Sequence, residues 1–334
     1  MKKSLVALAV AAALPAFAQA QTSVQLTGSV DVAVESLNKD ANGGAKGDLK
    51  VSDGIYGGSR FAIVGSEDLG GGLKALFNLE HRLSADTGTL TEAPFFWRGQ
   101  SWVGLGGGFG TVRFGRQYTP VHVVVEAGDM TGQSWYYSSG DLPYATRVNN
   151  AISYVSPSLG GFTLAAAYAA GEAAADAGAD FNKLNDVLGV AGIGAFGPVK
   201  VAVGYQTIDG AEINNIKNTN QLGASLGAEF GRFGLGVSYV QNSTKPVAGS
   251  TLKDKGMTVS TKFQVTDAGT VYLSFLRNDP RGDDNTQDGI GLTYNHGLSK
   301  RTYLYGAVGI GKNKVAGGED VKPRRIALGL RHFF

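Results

Sequence analysis

The sequence predicts an all-β protein, a sixteen-stranded antiparallel β-barrel that closes on itself within a membrane. Three observations carry this reading. Long stretches alternate apolar and polar residues with period two. Tight glycine-rich turns alternate with long polar loops along the whole chain. Beyond Ala20 no apolar run approaches the length a helical membrane span needs.

The elements follow in order. Met1 to Ala20 has a basic start at Lys2 and Lys3, an apolar stretch and an Ala18-Gln-Ala20 end, the pattern of a cleaved secretory signal peptide. One barrel domain is then expected over residues 21–334. Removing the two lysines leaves 30 − 2 = 28 basic side chains against 28 acidic ones, so the mature chain is formally neutral. A chain-wide basic field for nucleic acid is therefore absent, and charge-based function must come from local segregation. With no cysteine, the chain has neither disulfides nor thiolate chemistry. Its 50 glycines, with 16 Phe, 13 Tyr and 3 Trp, fit many tight turns between strands.

In the first strand Val24, Leu26, Val30, Val32 and Val34 share one face, and Gln25, Thr27, Ser29, Asp31 and Glu35 share the other. The third shows Leu73, Ala75, Phe77, Leu79 and His81 alternating with Lys74, Leu76, Asn78, Glu80 and Arg82. Val199 to Gln206, Phe233 to Tyr239 and Ile290 to Tyr294 repeat the pattern, and several strands close on an aromatic, as an interfacial girdle requires. Tight turns are read at 67–72, 106–110, 156–161, 197–198, 231–232, 266–269 and 297–300. Long polar loops are read at 38–58, 84–95, 119–147, 171–185, 209–218, 243–255, 279–287 and 311–323. Seven turns and eight loops make fifteen connections, hence sixteen strands. The last stretch puts Ile326, Leu328, Leu330, His332 and Phe334 on one face, opposite Arg325, Ala327, Gly329, Arg331 and Phe333. It is expected to pair with the first strand, because hydrocarbon tolerates no unpaired sheet edge. A soluble sandwich would turn large apolar residues inward; the second faces here carry Gln, Asp, Glu, Lys and Arg, a wet interior.

Gly58-Ser-Arg-Phe-Ala-Ile-Val-Gly-Ser-Glu-Asp-Leu-Gly-Gly-Gly-Leu-Lys-Ala-Leu-Phe-Asn-Leu-Glu80, Phe109 to Gln117, Asn149 to Pro157, Leu298 to Gly306 and the final aromatic give the chain a specific likeness. It resembles the Gram-negative general porins of the Neisseria and Burkholderiales type along its whole mature length. The resemblance implies a homotrimer of sixteen-stranded barrels in outer-membrane lipid, passing inorganic ions and small hydrophilic solutes passively and without a cofactor. It also implies that the third long loop folds inward to form a constriction, and that the terminal Phe334 is read by the barrel-assembly machinery.

That third loop, 119–147, carries Glu126, Asp129 and Asp141 and the cluster Trp135, Tyr136 and Tyr137. Parity places Arg60, Arg82, Lys74 and Arg113 on the polar side of their strands, with Arg147 directly after the loop. Acidic loop groups opposite basic wall groups would set a transverse field, focused by low-dielectric walls. Arg60 and Arg147 match positions where related porins carry constriction arginines, and a third falls at Gly99. Arg98 is adjacent, but strict alternation turns it to the other face unless a bulge intervenes, and Arg116 is out of phase with Arg113. Guanidinium stays charged at any working pH, so a mild anion preference is expected.

An outer-membrane barrel enzyme is the competing class. None of His81, His122, His296 and His332 sits in a Gly-x-Ser-x-Gly elbow or a His-Glu-x-x-His pair, and Gly106-Gly-Gly-Phe-Gly110 reads as a hairpin turn, with no helix behind it to make a phosphate loop. No enzyme activity and no metal site are expected. A channel selective for sugars or organic anions is the nearer alternative, with the Trp135–Tyr137 cluster as a stacking surface; packing of the loop onto the wall is the favoured role for those rings.

Overall fold

A computed structural model describes residues 22–38, 47, 49–91, 95–171, 186–210, 216–280 and 285–334. The expected signal peptide and most of the polar loop expected at 171–185 lie outside the described residues.

Among the described residues one sheet holds eighteen strands, and two of these are short additions within loops. The remaining sixteen form the wall. The first half is β1 (Ser23–Leu37), β2 (Ser59–Gly70), β3 (Leu73–Ser84), β4 (Ser101–Gly107), β5 (Gly110–Tyr118), β6 (Arg147–Val155), β7 (Phe162–Ala169) and β8 (Val187–Phe196). The second half is β9 (Val199–Asp209), β10 (Ile216–Phe230), β11 (Phe233–Pro246), β12 (Leu252–Gln264), β13 (Gly269–Asp279), β14 (Gln287–Gly297), β15 (Thr302–Asn313) and β16 (Arg324–Phe333).

Consecutive strands pair antiparallel all the way round. β16 then pairs with β1, from Ser29 opposite Phe333 to Leu37 opposite Arg325. The last residue completes the seam: Phe334 N donates to Gly28 O (3.1 Å) and Phe334 O accepts from Gly28 N (3.0 Å). Among the described residues every wall strand is paired on both sides, which is the condition for a sheet in hydrocarbon.

Burial is inverted relative to a soluble protein. On β1 Val30 and Val34 are 47% and 43% exposed, whereas Ser29 and Asp31 are 1% and 0%. On β16 Ile326, Leu328 and Leu330 face outward and Arg331 is buried. The apolar side of each strand meets lipid and the polar side meets the lumen.

Short turns gather at one rim. Gly197 and Gly231 each adopt φ +58° in two-residue turns, a left-handed conformation that glycine enters without a Cβ clash. At the other rim the first loop holds an unforeseen short strand, Leu49–Asp53, paired with Val32–Ser36 of β1. β2 covers only Ser23–Ser29 of β1, so this ribbon completes the edge that β2 leaves. A second addition, Thr89–Leu90, pairs with the end of β3.

The turns account for only part of the glycine. A second group faces the lumen beneath the third loop. A Cβ at Gly204 would stand 2.8 Å from Val124 Cγ2, at Gly256 2.6 Å from Pro143 Cδ, and at Gly309 2.9 Å from Tyr136 Cβ. These positions leave a smooth inner wall on which another segment lies in contact, a role that reading glycine as turns alone did not anticipate.

Candidate functional site

The third loop begins with a helix, α1 (Pro120–Ala127). Thr119 Oγ1 accepts from His122 N (3.2 Å), Pro120 takes the first turn where no N–H is needed, and Gly128 follows the last residue. Val121, Val124 and Val125 are fully buried against the wall. A valine run reads as a strand by propensity; the cap and this burial override it.

The loop crosses from β5 and lies along the far wall, held at each step. Val121 N donates to Gln206 Oε1 of β9 (3.2 Å). Ser225 of β10 and Ser238 of β11 donate to the carbonyls of Val124 (2.6 Å) and Val125 (2.9 Å). Met130 N donates to Ser260 Oγ of β12 (2.9 Å), and Ser274 of β13 donates to Tyr136 O (2.8 Å). Asn278 and Asn242 donate to the carbonyls of Asp141 (2.9 Å) and Pro143 (2.5 Å).

The three aromatics fasten this course. Trp135 stacks on Tyr56 of the first loop at 4.2 Å, and its backbone N–H donates to Ile55 O (2.9 Å). Tyr136 donates its hydroxyl to Glu35 Oε1 of β1 (2.5 Å). Tyr137 lies against Gly289 and Gly311. All three rings are buried, so they pack the loop onto its surroundings. Gln133, Trp135 and Tyr137 hold φ of +55°, +73° and +59°, conformations that cost about 1–2 kcal/mol each for residues with a side chain. The wall contacts must offset that strain.

The lumen is left open on the side of β1 to β6, where the arginines stand. Arg60 is directly opposite Arg82 in register, and on its other side opposite Ser29. Arg82 Nε donates to Glu80 Oε1 (2.7 Å). Arg147 donates to Tyr118 OH (2.9 Å), with its guanidinium 4.5 Å from the Tyr118 ring centre. Arg98 lies just ahead of β4, and the bulge on which its membership depended is present: Glu80 N donates to Gln100 O (2.7 Å) and Glu80 O accepts from Gly99 N (3.1 Å), so two residues oppose one and strict alternation does not fix the face of Arg98. Burial, then the charges of Arg82, Arg147 and Arg116, lower Arg98 to about 10, which leaves it charged at neutral pH.

Arg116 borders this group and Lys74 lies away from it. Arg116 donates to Arg98 O (2.9 Å) and to Asn149 Oδ1 (2.6 Å), and stands 6.0 Å from the exposed ring of Phe95, out of phase with Arg113 as expected. Lys74 is exposed beside the turn, opposite Asp68 and Gly106. Eight positions from Arg82 (82 − 74), it is about 26 Å along the strand from the narrow region and is no part of it. Arg113 lies between, its guanidinium 4.7 Å from the Trp102 ring centre.

Sequence reasoning missed Arg331 and Arg325 as site residues. Arg331 donates to Ser29 Oγ (2.9 Å), and its guanidinium stands between Tyr56 (4.6 Å) and Phe333 (4.3 Å). Arg325 lies 5.6 Å from the Tyr136 ring. Their parity with Ala327 and Gly329 on the last strand was the available signal. The basic arc therefore runs from β16 through β2 and β3 to β6.

The acidic side is thinner than expected. Asp129 is turned into its own loop, accepting from Thr131 N (3.2 Å), Thr131 Oγ1 (2.8 Å) and Gln133 N (2.6 Å), and braces the loop. Asp141 lines a cavity of about 370 Å³ with Glu35 and Arg325. Burial raises its pKa, with the Arg325 charge opposing. Glu126, in the last turn of α1, is likewise raised, by burial and then by the Asp129 charge.

His122 is buried, stacked on Tyr118 at 4.0 Å and bonded through Nδ1 to Tyr144 OH (3.1 Å). Burial, then the charges of Arg147 and Arg82, lower it to about 3, so the ring is neutral in use. His81, His296 and His332 each engage a neighbour through Nδ1, at Phe96 O (2.6 Å), Tyr294 OH (3.1 Å) and Thr302 Oγ1 (3.0 Å).

Comparison with known proteins fits this architecture. The family model described as Gram-negative porin matches residues 7–316. Outer membrane porin protein 32 of Delftia acidovorans is 34% identical, with 100% of both chains covered. Major outer membrane protein P.IB of Neisseria meningitidis is 35% identical over 51% of this chain and 50% of its own. The solved anion-selective porin from Comamonas acidovorans superimposes with a TM-score of 0.80 at 28% identity, covering 94% of this chain and 100% of that one.

Proposed function

We propose that this chain, a member of the Gram-negative porin family and a passive outer-membrane channel, prefers anions mildly and that the arginine arc opposite the seated third loop sets that preference. The observation that carries the proposal is segregation of charge in a chain that is formally neutral beyond residue 20. Arg60, Arg82, Arg98 and Arg147 share one lumen wall, and the facing loop offers Glu126 and Asp141 while Asp129 is spent on bracing. Guanidinium groups stay protonated throughout the useful pH range. The loop narrows the water-filled section, so that ions pass where low-dielectric walls concentrate the field. Anions are drawn in and cations are held back, with no chemical step.

The assembly path is part of the same proposal. Residues 1–20 direct export, the barrel-assembly machinery reads Phe334, and three copies associate in the outer membrane. The histidines serve packing, and the chain has no catalytic role. Reversal potentials across a salt gradient in planar bilayers test the charge assignment. Wild type is expected to favour anions, and Arg60→Glu, Arg98→Glu and Arg147→Glu each to move the potential toward cations. Cation preference in wild type, or three replacements without effect, would overturn it.

A further inference from the structure

A second cavity, of about 260 Å³, lies between α1 and the wall of β5 to β7. Arg113 and Glu126 both line it. Neither uses its charged end in a hydrogen bond or ion pair among the described residues, and the two do not pair with each other. Arg113 is backed by the Trp102 ring, and Ser153 and Gln117 hold one another beside it (2.5 Å). Val123, Val155 and Ala165 supply an apolar floor. Glu126 stands in the last turn of its helix, where the backbone dipole is negative and favours a cation.

From this arrangement we propose that the cavity is a binding site for small zwitterions, free α-amino acids with a short apolar side chain. The carboxylate meets Arg113, the ammonium meets Glu126, and the side chain rests on the apolar floor. The volume is below the span usual for drug-sized ligands, which fits a solute of few heavy atoms. A guanidinium held against an aromatic face is already oriented for a carboxylate, and the unpaired carboxylate that lines the same cavity supplies the complementary charge. A simple anion would find only one of its two partners, and a simple amine only the other. The site would concentrate such solutes at the turn side of the constriction; it rests on the channel reading above and adds a solute class to it.

The test uses the purified protein in planar bilayers at neutral pH, with L-valine, isovalerate and isobutylamine as probes. The three share an isobutyl unit and differ in whether it carries the carboxylate, the ammonium or both. L-valine is expected to reduce single-channel current saturably, at concentrations about tenfold below those needed for isovalerate or isobutylamine. Arg113→Gln and Glu126→Gln are each expected to raise the valine half-effect concentration about tenfold, and the double variant to add little more, because the two ends act on one ligand. β-Sheet circular dichroism establishes that each variant is folded. Equal action by isovalerate and valine, or a Glu126→Gln channel with unchanged valine response, would overturn the site. The wild-type reversal potential is read in the same recordings, so loss of anion preference and loss of valine binding are told apart.

Discussion

Gly309→Ala gives the sharpest test of how the third loop is held. Gly309 faces the lumen on β15, and a Cβ there would stand 2.9 Å from Cβ, Cγ and Cδ2 of Tyr136. Carbon atoms settle at about 3.5–4.0 Å, so the ring must retreat by about 0.6–1.1 Å. Its hydroxyl bond to Glu35, 2.5 Å in the structure, would then stretch to the limit of a hydrogen bond. Overpacking of this kind costs about 1–3 kcal/mol, and the strained left-handed residues on either side, Trp135 and Tyr137, add to the tendency to leave the wall. A loss of about 2 kcal/mol raises the share of the unseated loop about thirtyfold. Single-channel recording reads this directly: brief excursions to higher conductance are expected to be more frequent than in wild type. Gly306→Ala is the control: it lies on the lipid side, where the added methyl meets only the end of Leu328. If Gly309→Ala records look like those of Gly306→Ala, the wall contacts do not hold the loop and the reasoning fails.

Further outcomes follow from the same geometry. Lowering pH from neutral toward 4 should strengthen anion preference, because the raised pKa values of Glu126 and Asp141 bring their protonation into reach while the arginines stay charged; an unchanged reversal potential would refute this. His122 titrates lower when folded than when unfolded, so the unfolded loop binds the extra proton. Stability of the seated loop is therefore complete above about pH 6.5 and falls as pH drops from there toward the folded value of about 3. His122→Phe should keep the stack on Tyr118 and remove that acid sensitivity, read as the pH dependence of loop excursions. Deleting Phe334 removes two backbone bonds to Gly28, about 1 kcal/mol each, and should lower the thermal midpoint of the folded barrel by circular dichroism.

The wall was legible because a strand in a membrane has few choices. Val30 against Asp31, or Leu330 against Arg331, announces which way is lipid, and hydrocarbon enforces that pattern on every strand. The third loop was less legible for opposite reasons. Its helix begins Pro120-Val-His-Val-Val-Val, which local propensity assigns elsewhere, and the Thr119 cap together with burial on the far wall makes it helical. Asp129 looked like a pore charge because spacing cannot tell a carboxylate facing water from one capping its own backbone. Arg98 could not be placed by alternation because Gly99 and Gln100 both oppose Glu80, and a bulge breaks the count just there. Arg331 and Lys74 were misweighted because position along the membrane normal is invisible to alternation alone. Both residues alternate correctly, yet one stands at the narrow level and the other beside a turn.

The grip on the third loop has a consequence for how such a channel can be retuned. Ser225, Ser238, Ser274, Asn242 and Asn278 all donate to peptide oxygens of the loop, and none of those five bonds depends on a loop side chain. The loop behaves as a sleeve fitted into a pipe by its spine. Its water-facing residues are interchangeable parts: a new bore chemistry can be installed at Glu126 or Asp141 without touching the fittings or recutting the staves.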